Sequence, residues 1–412
     1  MIQYVKKAFS ILGVIFFITT SINAQETVSD FLLTAFESRN LLPYDAQIDF
    51  LKPSNYRVPI LDELEIRAGN DELIYEDLQY ALRLRPSNPW KIRRNNALFN
   101  ATKQELTIRR RIEFKENLAN RYELLASYFF KKRRHDIITE QQSLISKKTS
   151  VFQNNMESDL FDARDFAEAM LDQIEGLESL DNALVEWNQT QQLIATLLNK
   201  SAFDWSTFNL ISVEKIEDIS SQIATSSLSS VELDLISQRI EVARQEVRVE
   251  KADFDIGFIQ AEYFPFTNRD SEIGYSIGFT IPIFQNNRPQ IAERKLDEIE
   301  LKNEFEAEQY QDSVKKLLEY EHLKKLLIHH KMIVDEVTKI DLDTLVDNLG
   351  RIEDYDPIAI LDLKEGILKL DEILLKSQQR VIEQYLEFLI TFDVIIDQPL
   401  INYLSESLES IE

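Results

Sequence analysis

Tyr275-Ser276-Ile277-Gly278-Phe279-Thr280-Ile281-Pro282-Ile283-Phe284 alternates large apolar residues with small or polar ones and then breaks at a proline. Successive side chains of a β-strand point to opposite faces, so a period of two marks a strand with one apolar side. Tyr275, Ile277, Phe279 and Ile281 share one face of such a strand, and Ser276, Gly278 and Thr280 share the other. Upstream, Phe254, Ile256 and Phe258 alternate with Asp255 and Gly257, and a polar break at 267–271 separates the two runs. The stretch 253–283 therefore reads as a β-hairpin. A soluble sheet would bury the apolar face in a core. A barrel in a bilayer would turn it to lipid and leave Ser276, Gly278 and Thr280 toward a water-filled lumen.

Beyond Phe284 the period changes. Ala307, Tyr310, Val314 and Leu317 fall three and four apart, the spacing of a coiled-coil seam. Three other stretches do the same: Leu118, Tyr122, Leu125 and Phe129; Met170, Ile174, Leu177 and Leu184; and Val381, Tyr385, Phe388 and Phe392. These seams predict long helices near 95–148, 157–199, 228–252, 287–340 and 357–393. The last opens on Asp356-Pro357, a capping residue followed by proline at the first helical position.

A second, more charged hairpin precedes the first long helix. Leu64, Ile66 and Ala68 alternate with Glu65 and Arg67, Gly69-Asn70-Asp71 makes a turn, and Tyr80, Leu82 and Leu84 alternate with Gln79, Arg83 and Arg85. Its apolar face is shorter than the 9–11 residues of a typical spanning strand, and Glu72, Glu76 and Asp77 stand where lipid-facing residues would be expected. The two hairpins are related. Strand, Pro86, Asn95-Asn96 and a long helix in one half answer strand, Pro282, Asn286-Asn287 and a long helix in the other. Such a repeat fixes an architecture. The chain divides into a signal segment (1–24), an N-terminal segment (25–60), a first repeat (61–200), a second repeat (201–400) and a C-terminal tail (401–412). Pro43, Pro53 and Pro59 interrupt 25–60, leaving room there for one short helix near 28–38.

Composition narrows the function. Lys6 and Lys7, an apolar run from Ala8 to Ile18 and the small residue Ala24 describe a secretory signal peptide, cleaved after Ala24. The chain has no cysteine, so no disulfide, thiol chemistry or thiol-linked lipid anchor is available. A formal net charge of −25 argues against nucleic acid and against docking on anionic lipid headgroups. Eight glycines in 412 residues suit helices better than a loop-rich catalyst. No catalytic, phosphate-binding or metal-binding motif occurs, and no enzyme activity or cofactor is expected. His135, His322, His329 and His330 lack the company a metal site needs. The basic run Lys131-Lys132-Arg133-Arg134 reads as a solvated helix face.

With strand, proline step, long helix and repeat in place, the sequence resembles the TolC-like outer membrane efflux proteins. The likeness covers roughly 58–395. It rests on 275–284 and the helix carrying Ala292, Leu296 and Tyr310, on Ile360-Leu361-Asp362-Leu363 at the start of the returning helix, and on Asp159-Leu160-Phe161-Asp162-Ala163 in the first half. The resemblance implies a mainly α fold with a small β part. In it, long coiled-coil helices form a periplasmic α-barrel, and two β-hairpins per chain join a trimeric twelve-stranded outer-membrane β-barrel. It further implies a homotrimeric conduit in the outer membrane of a Gram-negative bacterium, docked to a periplasmic adaptor and an inner-membrane transporter, in contact with outer membrane lipid. Family members constrict the helix tip with an acidic side chain. Alignment on the Ile-Leu-Asp step gives Asp362 that role, and alignment on Gly350 gives it to Asp356. Asp341, Asp343, Asp347, Glu353 and Asp354 crowd the same turn. The alternative is a periplasmic coiled-coil scaffold that keeps the fold without a spanning barrel.

Overall fold

The structure is a computed structural model that describes residues 27–52, 59–69, 79–157, 161–200, 203, 205, 208–226, 230–264, 272–280, 287–340, 344 and 357–411. The signal segment, the 70–78 connection with Glu72, Glu76 and Asp77, and the turn residues up to Asp356 lie outside it, as do Pro282 and Ile281.

Two hairpins make one antiparallel sheet in the order β1-β2-β3-β4, with β1 Leu61–Gly69, β2 Gln79–Pro86, β3 Gly257–Phe264 and β4 Glu272–Phe279. Among the described residues both outer edges, β1 and β4, are unpaired in the single chain. Each hairpin feeds a long helix. Ser87-Asn88-Pro89 starts the first: Asn88 accepts from the amides of Trp90 and Lys91, and Pro89 takes the position where a missing N–H costs nothing. Helix α3 (Pro89–Asn154) therefore begins six residues before the position expected from periodicity. Its 66 residues reach about 100 Å at ~1.5 Å per residue. After the turn, Asp162 caps α4 (Ala163–Leu197) through the Arg164 amide. In the second half, α7 (Arg288–Lys339) runs away from the sheet and α8 (Pro357–Thr391) returns.

The remaining helices correct the sequence reading. Pro43 does not interrupt the N-terminal segment. It sits in the first turn of α2 (Leu42–Phe50), which follows α1 (Val28–Leu33) and two 3-10 turns. Helix α5 (Val213–Ala224) was not expected. Its Val213, Ile216 and Ser220 are buried at helical spacing. Helix α6 (Val231–Ala252) ends one residue before the predicted break.

Near the sheet, α6 lies between α3 and α7. Gln238 donates to the Ala101 carbonyl on α3 (2.9 Å), and Arg239 meets Glu304 on α7 (3.3 Å). Away from the sheet the order becomes α4, α3, α8, α7. Gln142 on α3 donates to the Gln173 carbonyl on α4, Lys148 on α3 pairs with Asp362 on α8, and Gln384 on α8 donates to Glu319 on α7. Where the two arrangements meet, the chain builds its main core. Leu118, Tyr122 and Leu125 of α3 pack with Tyr385 and Phe388 of α8, Phe31 of α1, Ile216 of α5, and Trp205, which precedes α5. Tyr128 and Trp205 meet edge to face at 5.4 Å. The stretch 401–411 folds into this core: Leu404 and Ile411 are buried, and Tyr122 donates to the Ile401 carbonyl (2.7 Å).

Candidate functional site

Strand register decides what each face of the sheet presents. Ile277 pairs with Ile259, Tyr275 with Ala261, and Ile273 with Tyr263. Across the next ladder Ile259 pairs with Leu84, Ala261 with Leu82, and Tyr263 with Tyr80. Those residues in turn pair with Leu64, Ile66 and Ala68. Directly paired residues share a face, so this side runs uncharged across all four strands. The opposite side carries Glu63 against Arg85, Glu65 against Arg83 and Gln260, Phe258 against Gly278, and Ser276 against Gln260. The paired charges of the first hairpin, Glu63, Glu65, Arg67, Arg83 and Arg85, thus all project from the polar side. Eight or nine residues at ~3.3 Å give strands of about 26–30 Å, or ~20–23 Å of bilayer depth at the ~40° tilt of barrel strands.

The uncharged side is open to its surroundings. Phe279 is 84% exposed and Tyr275 79%. Tyr80 and Tyr263 lie near its loop end and Phe279 at its helix end, the two levels where barrels place aromatic girdles. Leaving such a surface in water would expose an apolar patch of a kind that marks a membrane or partner contact.

One strand departs from the expected phase. Phe258 was placed among the alternating apolar residues with Phe254 and Ile256, yet it lies on the polar side opposite Gly278. Gly257 is the cause. Its φ of +115° suits glycine alone, its amide bonds to the Asp255 carboxylate (2.8 Å), and the backbone there resets the alternation. The Phe258 ring then lies flat across Gly278, where a Cβ would come within 2.5 Å of it. The Arg83 guanidinium stacks over the same ring, 4.1 Å from its centre, and donates to Gln260 (2.6 Å). Gln260 continues to Glu262, and Arg67 pairs with Glu65 (2.6 Å). The polar side is thus a cross-strand network of compensated charges. Sequence alone placed Ser276, Gly278 and Thr280 on this side and missed Arg83 and Gln260. The pattern held a signal, since Arg83 and Arg85 alternate with Leu82 and Leu84.

At the far end, Asp362 is not a free carboxylate. Lys148 on α3 reaches it at 2.6 Å and ties the start of the returning helix to the first helical pair. Burial opposes the Lys148 ammonium, but Asp362, Glu365 and Asp172 outweigh it and hold its pKa above the ordinary lysine value. Asp356 lies outside the described residues, so the two aligned acids are not brought together here. No residue type in the sequence marks a pair 214 positions apart.

A third charged cluster joins the halves in the core. Lys115 on α3 bonds Asp393 (2.7 Å) and Glu232 (2.5 Å), and Asp393 also accepts from the Val231 amide that opens α6. Burial opposes the Lys115 charge, and the two carboxylates more than compensate, raising its pKa. Burial pushes the Asp393 carboxyl up, and Lys115 offsets only part of that. Among the described residues no group of His, Asp and Glu is arranged to hold a metal ion, and no helix is long and apolar enough to cross a membrane.

No family model matches the chain, and no curated relative matches it. Solved structures do. The outer-membrane channel OprN superposes with a TM-score of 0.63 at 12% identity, over 89% of this chain and 89% of that one. CusC, described for its folding and transmembrane channel formation, gives 0.61 at 10% identity over 90% and 92%. The outer membrane protein VceC of Vibrio cholerae gives 0.60 at 11% over 89% and 95%. Identities this low speak for the fold alone, and the fold is the TolC-like one: long helices joined to a small four-stranded antiparallel sheet.

Proposed function

We propose that three copies of this chain close their sheets edge to edge into a twelve-stranded barrel in the outer membrane, continuous with a helical conduit below it. The protein is then a passive channel of a tripartite efflux or type I secretion system, working with a periplasmic adaptor and an inner-membrane transporter. The observation that carries this reading is the register. Four strands from two distant hairpins align one uncharged, mostly apolar face from Leu64 and Ile66 across to Tyr275 and Ile277, with the cross-strand charge pairs on the other. Tyr275, Ile277, Phe279 and Ile281 face lipid in this reading, and Ser276, Gly278 and Thr280 face the lumen beside Arg83.

Two further features support it. The unpaired edges β1 and β4 are a template for association, and closure into a barrel removes both. Helices α4 and α7 form opposite flanks of the far helical layer and carry exposed seams, Met170, Ile174 and Leu177 on one and Tyr310, Val314 and Leu317 on the other. Helix α4 is acidic, with seven acidic residues and one basic, whereas 313–339 of α7 has six basic and four acidic. Such a heterologous pair of flanks closes a ring.

Opening, in this account, moves α8 away from α3 at the tip. The Lys148–Asp362 pair opposes that motion, and Asp356 and Asp362 supply the acid ring in three copies. Folded trimers in a planar bilayer should conduct, and Lys148→Met should raise the open fraction. Folded trimers that insert and show no conductance would overturn the proposal.

A further inference from the structure

The net charge of the chain conceals a basic zone where the helices leave the sheet. Residues 89–96 contain Lys91, Arg93 and Arg94 and no acid, and 288–295 contain Arg288, Arg294 and Lys295 against a single Glu293. Lys91 is taken by Asp253 (2.6 Å) and Arg294 by Glu246 and Asp297. That leaves Arg93, Arg94, Lys251, Arg288 and Lys295, all exposed, none paired with a carboxylate among the described residues. All three helices that adjoin the sheet contribute.

The position of these side chains matters more than their number. Each lies within seven residues of the end of its helix nearest the sheet, so within about 11 Å of that end along the helix at ~1.5 Å per residue. The apolar face ends at the same level with Ile60, Leu61 and Phe279, all exposed. A bilayer of ~30 Å hydrocarbon and ~40–45 Å overall has a headgroup layer of roughly 5–8 Å on each side. If the apolar face sits in hydrocarbon, these cations begin in the headgroup layer bordering the helices and extend just past it.

We infer that this zone is a binding collar for anionic phospholipid headgroups of the leaflet that borders the helical part. The inference rests on the barrel reading above. Positive side chains at this level meet phosphates while the apolar side chains beside them meet acyl chains, so one lipid satisfies both parts of the surface. A surface cation near an anionic leaflet favours binding by up to about five-fold each. The overall charge of −25, taken alone, points the other way, but at this level the eight Lys and Arg of 89–96, 246–255 and 288–295 outnumber five acids, Glu246, Glu250, Asp253, Asp255 and Glu293, and acids farther along the helices are screened beyond a Debye length of ~8–10 Å.

The test compares purified trimers in vesicles of phosphatidylcholine alone and of phosphatidylcholine with phosphatidylglycerol, at low and high salt. The readouts are lipid retained on the protein after detergent extraction, by native mass spectrometry, and the thermal midpoint in each vesicle. Wild type should retain phosphatidylglycerol at least about ten-fold over its share of the bilayer at low salt, melt several degrees higher when it is present, and lose both effects at high salt. The combined variant R93Q, R94Q, K251Q, R288Q and K295Q should lose the preference while still inserting. K364Q, K369Q and K376Q, remote from the sheet on α8, should keep it. Inorganic phosphate added to phosphatidylcholine vesicles should not raise the midpoint. Wild type that inserts without preferring either lipid, remote variants that lose as much as the collar variant, or phosphate that substitutes for the lipid would each overturn the collar. Carbonate stripping from both vesicle types is a separate result: it removes the barrel reading, and the collar with it.

Discussion

Two kinds of seam with the same period end up in opposite environments. Leu118, Tyr122 and Leu125 on α3 and Val381, Tyr385 and Phe388 on α8 are no more than 1% exposed. Met170, Ile174, Leu177 and Leu184 on α4 and Tyr310, Val314 and Leu317 on α7 are between 37% and 72% exposed. All follow steps of three and four, and all use leucine, isoleucine, methionine and aromatics. Hydrophobic period therefore identifies a surface that needs a partner, and does not say whether the partner belongs to the same chain. The first kind finds it within the chain. The second kind lies on the flanks and stays exposed in the single chain.

That contrast can be broken by substitution. The largest effect belongs to the buried seam. Phe388→Ala removes a side chain that is fully enclosed and should destabilise the chain by about 3–5 kcal/mol in urea unfolding. Next comes the charged node beside it. Lys115→Ala leaves Asp393 buried at 5% side-chain exposure without its cation and should cost about 3 kcal/mol. Replacing Lys115 and Asp393 together by apolar residues should recover much of that loss.

The exposed seams behave differently. Leu177→Glu or Leu317→Glu should move the unfolding midpoint of the separated chain by no more than ~0.5 kcal/mol, yet shift trimer to monomer in sedimentation. If both substitutions leave the trimer intact, the flanks are not what joins the copies.

The smallest effect is pH-dependent. Burial lowers the His330 pKa, with Glu214 opposing and His329 assisting, while its ring bonds Ser377 at 3.0 Å. A histidine held below its unfolded value of 6.5 leaves stability full above that pH. Stability then declines as the pH falls from there toward the folded pKa, because the unfolded chain takes the proton first. His330→Gln should flatten this slope in thermal melts run from pH 7 into the acid range.

Much of the fold was legible because it rests on local periods. The strand at 275–279 and the long helices follow from alternation and from steps of three and four, and Asp356-Pro357 marked the start of α8 within the sequence. Helix α2 was hidden because a proline that opens a helix looks the same as one that breaks it until the preceding residues are seen to turn. Helix α5 is short, and its buried Val213 and Ile216 gain their meaning from the returning tail. The polar face was half legible. Ser276, Gly278 and Thr280 followed from alternation, but Gly257 shifts the phase of β3, and a single positive φ leaves no periodic trace. The Lys148–Asp362 pair was beyond reach, since a contact between distant segments is set by how four helices pack.

The chain has no cysteine, so single cysteines can be introduced in β4 without background. Tyr275→Cys, Ser276→Cys and Ile277→Cys, carrying a fluorophore in reconstituted trimers, can each be challenged with a lipid-phase and a water-phase quencher. Positions 275 and 277 should respond to the lipid quencher and 276 to the aqueous one. Equal quenching of all three from water would contradict a sheet that turns its apolar face to the bilayer.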